Sequence, residues 1–224
     1  MSIYWYYMIN DMNIIKNIKQ PEITTSMMMG LFSNYSDPRK KIHSLVKSGF
    51  LQAIKQGVFL VSEDLGLRPY SKEVLANLIY GPSYISLETA LSHYGFIPEK
   101  VTTTTSVCFG RNKYFTTPVG DFKYSHVKDS IYSHGVQQHE IFENIFCQYA
   151  SPEKALLDFI YLREFKGQFR KSQPYFEYIV NSFRLDLEAV GKIISLKKIN
   201  DLAQFYPHQH IQWFASELTR NLLK

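Results

Sequence analysis

The chain has 224 residues, 45% of them hydrophobic, 20% charged and 15% aromatic, enough apolar material for a packed core and the wrong composition for a disordered or collagen-like chain. Its formal net charge of +5 is too small for a uniformly basic protein, so any polyanion reading depends on where the charge sits. Two cysteines, Cys108 and Cys147, with no Cys-x-x-Cys pair, argue against a disulfide framework and a cysteine-based zinc site.

The opening MSIYWYYMIND lacks a basic n-region and has too short an apolar run for a signal peptide. No stretch approaches the roughly 18 apolar residues of a spanning helix. A cytoplasmic protein with no membrane partner is expected. The aromatic residues 4–8 are expected to serve as core or as a dimer contact.

In chain order, Ile14, Ile15 and Ile18 share one face of a short helix that Pro21 stops. Thr24 or Thr25 then caps a helix burying Met28, Leu31 and Phe32. The segment SDPRKKIHSLVKSG is the best-marked helix. Asp37 suits the N-cap, Pro38 the first turn and Gly49 the position after the end, with Ile42, Leu45 and Val46 as the apolar face. Two apolar runs around Lys55-Gln56-Gly57 predict a hairpin.

Residues 33–61 hold five bases against the single acid Asp37, which is +4 of the chain's +5. Helix, helix, basic helix and hairpin in that order predict a winged helix-turn-helix over residues 1–66, with helix 37–48 in the major groove. Its DNA-binding candidates are Arg39, Lys40, Lys41, His43, Ser44 and Lys47 on the helix and Lys55 and Gln56 at the hairpin turn. An ordinary solvated face accounts for any single basic helix; the element order is what favours a recognition helix.

Gly66 and Pro69 in LGLRPYS mark the expected domain boundary. Ser71 caps a helix that ends at Gly81-Pro82, and Ser86 caps another that stops at Gly95. The period then changes to β-branched and aromatic runs, VTTTTSVCF, KYFTT and DFKYSHV, which predict an antiparallel meander with Phe122, Tyr124 and His126 on one face. Ser151 and Pro152 open a helix burying Ala155, Leu156, Phe159, Ile160 and Leu162, and further helices are expected over 175–183, 186–195 and 208–223. The fold class is therefore α+β: the winged helix-turn-helix, then a larger mixed domain over 67–224 with a small antiparallel sheet flanked by helices.

No phosphate loop, nucleophile elbow or zinc-protease motif occurs. No cofactor or metal is expected. His208 and His210 would leave a helix on different faces, and His126, His134 and His139 would need folding to converge. Asp158 and Glu88 are carboxylates on otherwise apolar faces, open either to capping and solvation or to paired burial with a base such as Arg111.

Three stretches in combination, PSYISLETALSHYGFIPEKVTTTTSV, GRNKYFTTPVGDFKYSHV and YASPEKALLDFIYL, resemble the AbiEi family, the antitoxins of type IV toxin–antitoxin and abortive-infection systems. The resemblance runs from Pro82 to Leu162, and the basic helix and hairpin occupy the place of that family's N-terminal winged helix. Family wings are often arginine-rich before the glycine, whereas this turn carries Lys55 and Gln56.

The resemblance implies an antitoxin and autorepressor. It would bind inverted repeats of promoter DNA, with a homodimer on that DNA allowed, and would counter a cognate nucleotidyltransferase-like toxin through the larger domain. Arg111, Lys113, Lys123 and Lys128 are the candidate antitoxin face; solvated strand charge is the plainer account of them. Two alternatives stay open: a module that binds the toxin directly without DNA, or an enzyme that modifies the toxin covalently.

Overall fold

The computed structural model describes residues 13–15, 17–163 and 172–223, which form an α+β protein. Two compact units divide them. One takes the residues up to Ile79 together with Thr117–Val119; the other takes Tyr80–Thr116 and the residues from Gly120 onward. The aromatic residues 4–8 lie outside the described residues. Of the short helix expected around Ile14, residues 13–15 are helical and Ile15 is buried, while Lys16 lies outside the described residues.

In the first unit, Thr24 accepts from the Met27 amide at 3.3 Å and starts α1 (Thr25–Leu31). Asp37 accepts from the Lys40 amide at 3.1 Å and starts α2 (Pro38–Lys47). Both caps satisfy amides that a helix N-terminus leaves without intrahelical partners, and Pro38 stands where no amide is needed. Gly49, at φ 81°, turns the chain out of α2 without a Cβ penalty. The hairpin follows as β2 (Leu51–Lys55) and β3 (Val58–Val61), antiparallel across Gly57.

A third strand, β1 (Glu22–Thr24), joins the other side of β3, giving the order β1-β3-β2. Sequence reading predicts only the hairpin, because three residues are too few for a periodicity to register. Met28 of α1, Phe32 just after it, and Ile42 and Leu45 of α2 pack against Ile23, Leu51 and Val61. Each such side chain removed from water contributes on the order of 1.5–3 kcal/mol.

Glu22, next to Ile23 on β1 and therefore on the other face of the sheet, is also fully buried. Arg68 donates to it from both terminal guanidinium nitrogens, at 3.0 and 2.6 Å, and the Ser71 amide donates at 2.5 Å. Ser71 in turn caps α3 (Lys72–Ile79), its Oγ accepting from the Glu73 and Val74 amides at 3.1 Å. The segment around Gly66 and Pro69 is thereby tied back onto β1. The first unit accordingly continues past Gly66 to the end of α3.

The second unit holds β4 (Ser83–Ile85), β5 (Thr104–Cys108), β6 (Lys113–Thr117), β7 (Gly120–His126), β8 (Val136–Phe142) and β9 (Ile145–Ala150). They form one six-stranded sheet in the order β6-β7-β5-β4-β9-β8. This corrects the expected small antiparallel meander. β5 pairs parallel with β7, and β4 pairs parallel with β9, so the sheet is mixed. The β6–β7 turn is placed correctly, but β6 lies outside β7, which leaves β7 running alongside β5 in the same direction.

β5 is buried at all five positions, as a central strand covered on both faces should be. The β8–β9 hairpin escapes the sequence reading because its turn has no glycine; Asn144 supplies the left-handed residue at φ 61°.

Around the sheet stand α4 (Leu87–His93), α5 (Asp129–Tyr132), α6 (Pro152–Leu162), α7 (Ser172–Ser182), α8 (Leu187–Ile193), α9 (Leu196–Ala203) and α10 (Gln209–Leu222). α4 packs on β5 and α6, and α7 and α9 pack on α10. α9 is a separate helix that sequence reading passes over; Ser195 caps it by accepting from the Lys198 amide at 3.4 Å. No helix among the described residues is long and apolar enough to cross a membrane.

Breaking the buried pair on one side should destabilise the first unit by about 3–5 kcal/mol, because the surviving charge stays out of water. Urea unfolding of Glu22→Ala and of Arg68→Ala checks this. The double variant should lose clearly less than the two losses added together, the mark of a direct coupling.

Candidate nucleic-acid interface

Ile42 and Leu45 turn α2's apolar face inward, and the 3.6-residue period then leaves Arg39, Lys40, His43, Ser44 and Lys47 exposed together. Arg39, His43 and Lys47 are spaced i, i+4, i+8, a stripe along the helix. Among the described residues the side chains of Arg39 and Lys47 have no hydrogen-bond or ion-pair partner, so both charges face water. Lys40 sits 3.4 Å from Asp37, an exposed pair worth little, which a stronger anion would displace. Asp37 itself is held below the usual carboxylate range, mainly by the Lys40 amide it accepts from.

Two candidates are committed elsewhere. The Lys41 ammonium stands 5.4 Å from the Tyr35 ring centroid, a cation–π contact. Lys55 donates to the Ile79 carbonyl at 2.6 Å. That carbonyl closes α3, where the last carbonyls lack helical partners and the helix dipole is negative. Gln56 is exposed at the hairpin turn. Nothing local marked Lys55's fate, since Ile79 lies 24 residues on.

The four candidates of the second unit are all exposed but do not share a face. Phe115 packs its ring against Tyr124 at 5.8 Å, so these two side chains lie on one side of the sheet. Alternation puts Lys113 on that side and Lys123, next to Tyr124, on the other. Arg111 lies between β5 and β6, and Lys128 sits at the N-cap position of α5.

Asp158 does pair with a buried base, but the base is Lys154, one turn earlier on α6. Asp158 Oδ1 accepts from Lys154 Nζ at 3.1 Å and the Tyr206 hydroxyl at 2.7 Å. Oδ2 accepts from the Tyr84 hydroxyl and Ser86 Oγ, both at 3.0 Å. Lys154 also donates to the Ile131 carbonyl at 3.0 Å. The i, i+4 spacing of Lys154 and Asp158 inside an apolar helix was the signal available in sequence. Burial first, and the neighbouring carboxylate second, push the Tyr84 and Tyr206 phenols well up, so both remain donors. With every member bonded and buried, the cluster braces α6 against β4 and the residues after α9. Glu88 pairs with Arg163, not Arg111.

The histidines do not converge on one point. His134 stacks on Phe205 at 3.6 Å, His139 meets His93 at 4.7 Å, and His126 Nδ1 lies 3.1 Å from the Phe109 carbonyl oxygen. His208 precedes α10, so its ring stacks parallel to His210 at 5.3 Å instead of leaving on a different face. Among the described residues no group of three or more His, Cys, Asp or Glu is placed to hold a metal ion. Cys108 and Cys147 are buried and form no disulfide among the described residues. No protein-family model matches the chain, and no curated protein matches it.

Asp158→Ala should cost about 3–5 kcal/mol by leaving the Lys154 ammonium buried alone, and Lys154→Met with Asp158→Leu should recover part of that loss. Calorimetric melting of the three variants measures it. The tyrosines set a pH window. Their folded forms hold the proton above the ordinary phenol range, so the unfolded state ionises first. Stability should be flat up to about pH 10 and fall above it. Urea midpoints from pH 7 to 11 test the sign.

Proposed function

We propose that the first unit is a winged-helix DNA-binding module, that α2 is its recognition helix, and that the protein is an antitoxin of the AbiEi type that represses its own promoter. The observation that carries the DNA-binding part is the exposed stripe Arg39, His43, Lys47, with Ser44 and Lys40 beside it, on the helix that precedes the hairpin. Two open charges about 12 Å apart along one helix suit phosphates flanking a groove, because 1.5 Å of rise per residue separates them over eight residues. Arg39 lies in the first turn, where the helix dipole is positive and a guanidinium reaches either a phosphate or a guanine edge. Two copies on an inverted repeat would double the contacts of a small interface.

The antitoxin half of the reading rests on the resemblance over Pro82–Leu162. It assigns to the second unit the countering of a nucleotidyltransferase-like toxin. A second reading draws support from Lys55. With its ammonium on the Ile79 carbonyl, the hairpin offers DNA only Gln56, which suits a module that docks on the toxin itself.

Binding of the full chain to its own promoter region, followed by fluorescence anisotropy from 50 to 250 mM salt, separates the two. Arg39→Ala and Lys47→Ala should each flatten the salt dependence by about one unit of slope. Lys55→Ala should leave the slope unchanged and instead lower thermal stability by about 1 kcal/mol, through the lost carbonyl bond. No binding at the lowest salt would favour the toxin-docking reading.

A further inference from the structure

On the face of the sheet opposite Phe115 and Tyr124, the β5–β7 part of the second unit carries an open cavity of about 450 Å³. β5 and β7 place Thr105 beside Lys123 in register, and the chain leading into β5 brings Lys100, Thr102 and Thr103 over them. Tyr114 of β6 closes another wall. The lining is hydroxyl-rich and charged, a poor match to an apolar ligand.

Its charges are unequally satisfied. Glu88 is paired by Arg163, and Glu99 lies 3.5 Å from Arg184. A hydrogen bond to the Asp121 carboxylate pushes the Tyr114 phenol up, which keeps Tyr114 protonated and engages the third nearby acid. The Lys100 and Lys123 side chains have no hydrogen-bond or ion-pair partner among the described residues. Two ammonium groups thus line a cavity whose carboxylates are already answered. Lysine binds oxyanions as a mobile point charge, and the Thr102 hydroxyl adds a neutral donor, while the Thr103 hydroxyl is engaged by the Tyr114 phenol oxygen. Thr105 is unavailable, since its hydroxyl donates to the Ser86 carbonyl at 2.9 Å and accepts from the Thr89 amide.

We propose that this cavity is a binding site for a small phosphorylated metabolite, with Lys100 and Lys123 on the phosphate and the Thr102 hydroxyl beside them. The volume is within the range of small-ligand sites and several times what a bare phosphate occupies, so the cavity accommodates an attached hydroxylated group. The site is independent of α2. It also gives Lys123, one of the exposed bases of the second unit, a role that Lys113 on the other face does not share.

Isothermal titration of the full chain with ribose 5-phosphate, inorganic phosphate and ribose tests this. Ribose 5-phosphate should bind one per chain, inorganic phosphate more weakly, and ribose not at all. Lys123→Gln and Lys100→Gln should each weaken ribose 5-phosphate at least tenfold, while Lys113→Gln and the Arg39→Ala/Lys47→Ala pair leave it unchanged. All of these positions are exposed, so the variants are expected to fold, and a melting curve of each confirms it. Absence of heat with both phosphates overturns the proposal. So does binding that survives both Lys123→Gln and Lys100→Gln, that follows Arg39 and Lys47 instead, or that is as strong for ribose.

Discussion

A carboxylate taken out of water must find all its donors inside the protein, and in both units one such carboxylate decides what can sit beside what. Glu22 collects Arg68 and the Ser71 amide, which draws a Gly- and Pro-containing connector onto β1 and sets the start of α3. Asp158 collects Lys154, Tyr206, Tyr84 and Ser86, side chains from α6, from the residues after α9 and from β4 and its exit. Hydrophobic burial supplies most of the stabilisation in each core but has no direction. The carboxylates do, because a missing donor costs more than a misplaced methyl.

The first anchor has a consequence for the basic surface. α3 is started by Ser71 and finished by Lys55, whose ammonium satisfies the Ile79 carbonyl. The hairpin turn is therefore held by its lysine, and the positive charge open to solvent is concentrated on α2. A charge count over residues 33–61 treats Lys55, Lys41, Arg39 and Lys47 alike. In the folded unit the first lies on a helix terminus, the second against a ring, and the last two face water.

Helix starts were the most legible features. Thr24, Asp37, Ser71 and Ser151 each precede a run with the right apolar spacing, and each cap bond closes within three residues; Ser86, read the same way, makes no cap bond and gives its hydroxyl to Asp158 instead. The hairpin at Gly57 was legible for the same reason of locality. Strand order was not. β5, β6 and β7 are consecutive in the chain and read as a meander, but β5 must also take β4 and is buried on both faces, so the β6–β7 hairpin attaches through β7. The candidate site divides the same way. That α2 would present Arg39, His43 and Lys47 together follows from helical period; that Lys123 and Lys113 would part company, and that Lys123 would share a cavity with Lys100, does not.

By itself, then, the sequence determined the class of the fold, the caps at Thr24, Asp37, Ser71 and Ser151, the basic face of α2 and the turn at Gly57, all set by interactions within a few residues. Only the tertiary structure decided the parallel pairings, the partners of Glu22 and Asp158, and which positive charges stay open to solvent. Apart from the local Lys154–Asp158 and Lys41–Tyr35 contacts, those depend on groups 18 to 74 residues apart, and no local pattern encodes which distant donor a buried acceptor will meet.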